Sequence, residues 1–315
     1  MKHTSNKWKS VPSLGALFLL SRTAVLLLSR TAVFLPSRTA LFLRSRTVAL
    51  VLLFSAGLLA ACKQSGSAQA TTLGDPRASL SPKTTHPRLL ELPATHKGEI
   101  IVRHAAFTLS YNTEHNTPNW VAWELTREET EGQGRRANQF LPDPDLDVRY
   151  QVTHQDYIGS GYDRGHMCPA GDNKCNAHAM TECFYLSNMC PQNHEFNSNS
   201  WERLENACRR WARKEGSVYI VCGPIYNPKR KLKTIGREHK ISVPNGFFKC
   251  VLSLQPGKEK AIAFVYQHNE EYQSMKSVAT SVDAVEELTG YNFFSSVPKE
   301  LQNHVEAMCN LTEWD

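Results

Sequence analysis

The stretch GYDRGHMCPAGDN, residues 161–173, sets Asp163, Arg164, His166, Cys168 and Asp172 among three glycines and a proline. Imidazole, with an ordinary pKa near 6.5, is the side chain there suited to moving a proton at neutral pH. Arginine adds a planar, permanently charged fork that donates two parallel hydrogen bonds to an oxyanion. Further along, FYLSNMCPQNHEFNSNSWERLE (184–205) leads into a segment where Asn197, Trp201, Glu205 and Arg209 are four apart. On a helix that spacing lines them along one face. Trp201 on that face reads as core packing. Cys168, Cys175, Cys183 and Cys190 recur at intervals of 7, 8 and 7 beside His166, His178 and His194. Zinc is the chemistry such a set raises, but the short C-x₂₋₄-C pairs of zinc modules are missing.

The elements that must position these residues are readable from their surroundings. NSNSWERLENACRRWARKEG (197–216) reads as a helix, with polar capping residues before it and Gly216 after a basic last turn. EIIVRH and AAFTLSYN look like strands, and NWVAWELT (119–126) alternates apolar and polar residues as a half-buried strand does. SVYIVCGPIY, GFFKCVLSL and KAIAFVYQ are β-branched and aromatic runs bounded by Gly and Pro. They are expected as central strands of an antiparallel or mixed sheet. One helix should end at Gly290 and a second should follow Pro298. The expected fold class is α+β, a single domain over 89–315 with a mostly antiparallel central sheet flanked by helices.

Taken together, YIGSGYDRGHMCPAGDN and the Asn-rich run 31 residues after the D-R-G-H box resemble the DNA/RNA non-specific endonuclease family. The likeness runs from NTPNWVAWELT through CGPIY and VPNGFFKCVL to ELTGYNFF, covering most of 95–300. It implies a ββα-metal fold, in which a strand pair presents a histidine and a helix presents the metal ligand. The implied activity is metal-dependent hydrolysis of DNA and RNA phosphodiester bonds with little sequence preference, leaving 5′-phosphate and 3′-hydroxyl ends. His166 then corresponds to the general base and Asn197 to the direct ligand of Mg²⁺, with Mn²⁺ as the alternative ion. Glu205 would hold the metal's waters. Arg164, Arg209 and Arg136, one of the pair Arg135/Arg136, match positions that bind phosphate or stabilise the transition state. Asp163 and Asn188 match positions that support the loop and the metal waters. Cysteines after the histidine depart from the family's usual small or apolar residues. Gly165 is expected to form the turn that exposes His166.

Charge does not explain nucleic-acid binding by itself. Of 36 Lys and Arg, eight precede Cys62, whereas none of the 30 Asp and Glu does. The rest of the chain is therefore slightly acidic, and a polyanion must be met by a local patch. NPKRKLKTIGREHK, holding Lys229, Arg230, Lys231, Lys233, Arg237 and Lys240, is one candidate. No helix-turn-helix, zinc finger or aromatic RNA-binding box offers base readout.

The N-terminal part reads as targeting sequence. TVALVLLFSAGLLAA (47–61) is an apolar run behind Arg44 and Arg46, shorter than a membrane span needs, and it stops at LLAAC. That stop resembles the lipobox of bacterial lipoproteins, so Cys62 is the expected lipidation site, 1–61 a signal segment and 62–88 a Ser/Thr-rich tether. The expected location is the bacterial cell envelope, lipid-anchored and extracytoplasmic. An eight-residue repeat starting at Ser21, Ser29, Ser37 and Ser45 is assigned no function. With Cys62 lipidated, eight cysteines remain, an even number that in an exported chain favours disulfides. A competing reading is a catalytically idle, nucleic-acid-binding envelope lipoprotein.

Overall fold

The computed structural model describes residues 89–315; the repeat, the signal segment, Cys62 and the tether lie outside them. Among the described residues eleven strands occur in chain order. These are β1 (Ile100–Arg103), β2 (Thr108–Asn112), β3 (Thr117–Thr126), β4 (Asp163–His166), β5 (Met189–Gln192) and β6 (Ser217–Ile225). They are followed by β7 (Thr234–Ile235), β8 (Ile241–Ser242), β9 (Gly246–Ser253), β10 (Lys260–Gln267) and β11 (Ala279–Thr280). Seven form one sheet in the order β1-β2-β3-β6-β9-β10-β11, with every neighbouring pair antiparallel. β4 with β5 and β7 with β8 form two small antiparallel pairs. The class is α+β, as the sequence reads.

The sheet is covered on both faces, and this changes the reading of β3. Val121, Trp123 and Leu125 pack into one core with Phe247, Val251 and Phe264, under Trp201, Leu204 and Trp211 of the site helix. Trp120 and Ala122 point the other way, into a core with Phe248, Cys250 and Leu252 beneath Val282, Val285, Phe293 and Val305. The alternation of NWVAWELT thus separates two buried faces rather than a buried face from a wet one. Its central residues Trp120–Trp123 are all buried. Two of the covering helices, Val282–Thr289 and Lys299–Glu306, lie where Gly290 and Pro298 place them.

All eight cysteines of the described residues are free thiols, which overturns the expected disulfides. Their burial gives the reason: Cys168, Cys183, Cys190, Cys208, Cys222 and Cys250 serve as small apolar residues in the two cores. Desolvation pushes the Cys183, Cys208 and Cys222 thiols up to about 12, far from the reactive thiolate. Cys175 and Cys309 are exposed. Among the described residues no cysteine belongs to a group spaced to hold a metal.

Candidate active site

β4 and β5 pair in the register Asp163↔Gln192, Arg164↔Pro191, Gly165↔Cys190 and His166↔Met189, so the D-R-G-H box is a strand rather than an exposed loop. Gly165 accordingly forms no turn. A Cβ at Gly165 would fall on the Gln192 side chain, and the glycine is there to let the partner strand approach. After β5 the chain enters a π-helical stretch, Phe196–Trp201, continued by the helix Glu202–Glu215. The strand pair and this helix make the ββα unit, and the helix carries Asn197, Trp201, Glu205 and Arg209.

A cleft of about 610 Å³ opens between them, lined by Arg136, Arg164, His166, Asn197, Glu205 and Arg209 together with Lys174 and Gly171. His166 is 8% exposed and packs against Phe184 at 4.8 Å and Phe140 at 5.8 Å between ring centroids. Its Nε2 has no hydrogen-bond partner. Burial, helped by the charge of Arg136, depresses the imidazole pKa to about 3, so it is a neutral proton acceptor across the physiological range. Behind it, Trp201 donates from Nε1 to the His166 carbonyl at 3.2 Å, so this core tryptophan also fixes the histidine backbone.

Asn197 donates from Nδ2 to Asp163 Oδ2 at 3.0 Å. Its amide oxygen accepts no hydrogen bond among the described residues, which leaves a hard donor directed by Asp163. Asp163 Oδ2 also meets His194 Nδ1 at 2.9 Å, and that hydrogen bond holds the His194 pKa above its ordinary value. Glu205 is the second oxygen donor on the same cleft. Desolvation pushes its carboxyl up to about 7, against the opposing pull of Lys249 and Arg209. A half-buried carboxyl held this high gains by facing a divalent cation, so the donor set fits a hydrated Mg²⁺.

The arginines differ in state. Arg164 stacks on Phe140 at 5.0 Å and on Tyr157 at 5.6 Å, and its buried Nε is unpartnered. Arg136 lies over Phe184 at 5.0 Å on an exposed loop, whereas Arg135 does not reach the cleft. Neither Arg136 nor Arg164 has a carboxylate in ion-pair range among the described residues. Arg209 is instead anchored, donating from Nη1 to Asp172 Oδ1 at 2.7 Å and from Nη2 to Asn206 Oδ1 at 2.9 Å. Gly171 makes room for it: a Cβ there would sit 2.6 Å from Arg209 Nη1.

Asn188 lies apart from the cleft wall. Fully buried, it donates to the Cys168 and Cys183 carbonyls at 2.9 and 2.8 Å and accepts from the Cys168 amide at 2.9 Å. It clamps the chain just after His166. Of the basic run, Lys229, Arg230, Lys231, Lys233, Arg237 and Lys240 are exposed and none lines the cleft.

Residues 91–300 match the model of the DNA/RNA non-specific endonuclease family, about two thirds of the chain. The chain belongs to that family. The mitochondrial nuclease EXOG of Xenopus laevis is 34% identical over 213 residues, 63% of this chain and 58% of that protein. Nuclease 1, a mitochondrial protein of Schizosaccharomyces pombe, is 36% identical over 220 residues, 64% and 68% of the two chains. A nuclease of Nostoc sp. is 34% identical over 212 residues, 64% and 75%. The chain spans about three fifths of the frog EXOG and of its zebrafish counterpart. Among solved structures, a chain of the EndoG/EndoGI complex superposes with a TM-score of 0.60 and 28% identity, covering 64% of this chain and 88% of that one.

Sequence reasoning missed two lysines here. Lys174 stands on the cleft wall. Lys249 is 1% exposed, its Nζ 4.4 Å from the Trp201 ring centre and 5.1 Å from that of Trp123. Burial works against its charge, but the acidic groups Cys222, Cys208, Glu205 and Asp172 outweigh it and hold the pKa above the usual value. The signal was present in GFFKCVLS, a lysine inside an otherwise apolar, fully buried strand.

Proposed function

We propose that the protein is an endonuclease that hydrolyses the sugar-phosphate backbone of DNA and RNA with a divalent cation, Mg²⁺ in preference to Mn²⁺. One observation carries the reading. An unpartnered neutral imidazole, two arginines without carboxylates and an amide oxygen without a donor converge on one cleft. His166 takes the proton of the attacking water through Nε2, which is neutral and has no hydrogen-bond partner. Arg164 and Arg136 bind and orient the phosphate, which no protein carboxylate competes for. Arg209, fixed by Asp172, adds positive charge where the pentavalent phosphorus gathers negative charge. Asn197 and Glu205 would hold the cation, which supplies charge relief at the departing 3′ oxygen.

Lipidation at Cys62 and an envelope location belong to the same proposal, on the LLAAC stop alone. Conversion of Cys62 to Ser should abolish partitioning into the detergent phase, and unchanged partitioning would remove the anchor. For the activity, purified protein is incubated with plasmid DNA and with RNA, in Mg²⁺, in Mn²⁺ or in EDTA. Both substrates should be cut with metal and neither in EDTA. Retention of nucleic acid with no cleavage under any metal would instead support the idle binding lipoprotein.

A further inference from the structure

A second group of chemically active side chains lies outside the cleft. His104, in the turn between β1 and β2, has a fully buried side chain packed on Phe107 and Tyr185. Its Nε2 lies 3.0 Å from Asp143 Oδ2. Burial alone would raise Asp143, but hydrogen bonds from His104 and Ser187 reverse this and keep it ionised below the ordinary carboxylate range. An ionised Asp143 can only accept, so Nε2 carries the hydrogen.

That leaves Nδ1 with the lone pair whenever the ring is neutral, yet it has no hydrogen-bond partner and is shut away from solvent. Two carboxylate oxygens flank it instead: Glu182 Oε1 at 3.7 Å and Asp145 Oδ2 at 3.9 Å. Glu182 is held in place by the Ala105 amide, which donates to Oε2 at 2.7 Å and turns Oε1 toward His104. His178, one helical turn before Glu182, brings Nε2 to 3.0 Å from the same Oε1. A lone pair on His104 Nδ1 with two carboxylate oxygens within 4 Å and no hydrogen bond of its own is an arrangement that a bound cation would relieve.

We propose that His104 Nδ1, Asp145, Glu182 and His178 bind one Zn²⁺ ion at a site separate from the catalytic cleft. Zinc–nitrogen and zinc–oxygen bonds of about 2.0–2.2 Å put tetrahedral ligand atoms about 3.3–3.6 Å apart, near the 3.0, 3.7 and 3.9 Å that separate His178 from Glu182, His104 from Glu182 and His104 from Asp145. Two imidazoles with two carboxylates suit a borderline transition metal better than Mg²⁺, which prefers oxygen and water. Asp143 occupies the position of the carboxylate that orients a metal-bound histidine through its other nitrogen. None of the five residues lines the cleft. Bound zinc would pin the β1–β2 turn to the segment that runs from Glu182 to Asn188, the clamp behind His166.

Without metal, the competitor is a proton. Burial lowers the His104 pKa, but Asp143, Glu182 and Asp145 together raise it above the ordinary value. The decisive experiment is calorimetric titration of ZnCl₂ into metal-stripped protein carrying Cys175→Ser and Cys309→Ser, so that exposed thiols do not contribute. One equivalent should bind, raising the melting temperature by several degrees through mass action. Asn197→Ala should bind zinc equally well, because the catalytic cleft is not involved. Asp145→Asn and His178→Ala, at exposed side chains that do not jeopardise folding, should each weaken binding at least about tenfold. The proposal is overturned if the parent binds no zinc, if the equivalent disappears in Asn197→Ala, or if Asp145→Asn and His178→Ala both bind like the parent.

Discussion

His166 and His104 occupy closely similar apolar surroundings and are driven in opposite directions. Each is buried against two aromatic rings, Phe184 and Phe140 for the first, Phe107 and Tyr185 for the second. Desolvation disfavours the imidazolium at both. Around His166 the charged neighbour is Arg136, which adds to the penalty and leaves a pKa of about 3. Around His104 the neighbours are Asp143, Glu182 and Asp145, which overcome it. Burial disfavours the charged form of each ring, and the neighbouring charge adds to that cost at His166 but overcomes it at His104, which separates a base from a cation trap.

The largest effect expected from breaking this contrast is catalytic. His166→Ala should lower turnover by about 10²–10⁴-fold while nucleic-acid affinity stays, because only the proton acceptor is lost. Asn197→Ala should also collapse turnover at fixed Mg²⁺, but with partial recovery as Mg²⁺ is raised. Cleavage measured against Mg²⁺ concentration separates the two. Near-normal turnover in His166→Ala would show that an unpartnered buried imidazole is not the base.

The cleft was largely legible in the sequence, and the His104 cluster was not. D-R-G-H and the four-residue spacing of Asn197, Trp201, Glu205 and Arg209 are local patterns, set by one strand and one helix. The cluster draws His104 from a turn, Asp143 and Asp145 from a loop, and His178 and Glu182 from a short helix. Only the fold brings positions so far apart in sequence together. The same limit explains the failed disulfides: an even cysteine count speaks of compartment, whereas burial in the cores settled what these thiols do. Lys249 was missed for a related reason, since the strand it interrupts was read by its apolar majority. Gly165 was read as a turn because glycine usually marks one; here it admits the Gln192 side chain of the paired strand.

A mid-sized effect tests how Lys249 poises the metal donors. With Glu205 titrating at about 7, the carboxylate is present above neutrality and neutralised below it. The Mg²⁺ concentration for half-maximal cleavage should therefore rise as pH falls below 7, by up to about tenfold per unit. Glu205→Gln should abolish that dependence, and Lys249→Met, removing a cation that favours the carboxylate, should move its onset to higher pH. An unshifted onset in a folded Lys249→Met protein would reduce the lysine to a packing residue.

The smallest effect is read in stability, and it tests the charge-sign contrast directly. His166 has a folded pKa of about 3 and an unfolded value near 6.5, so between those limits the unfolded chain binds the extra proton. Stability should then fall as pH drops from 6.5 toward 3, with a limiting slope of about 1.4 kcal/mol per unit. His104 has its folded pKa raised, so its contribution is complete below 6.5 and is lost as pH rises through the folded value. His166→Gln should flatten the acid side of the stability profile relative to wild type. His104→Gln should cost more at pH 5.5 than at pH 8.5. Urea unfolding in EDTA at a series of pH values measures both differences, with metal excluded from the cluster. Parallel profiles for the two variants would mean that the neighbours' charges do not set these histidines apart, and the contrast between base and cation trap would have to be abandoned.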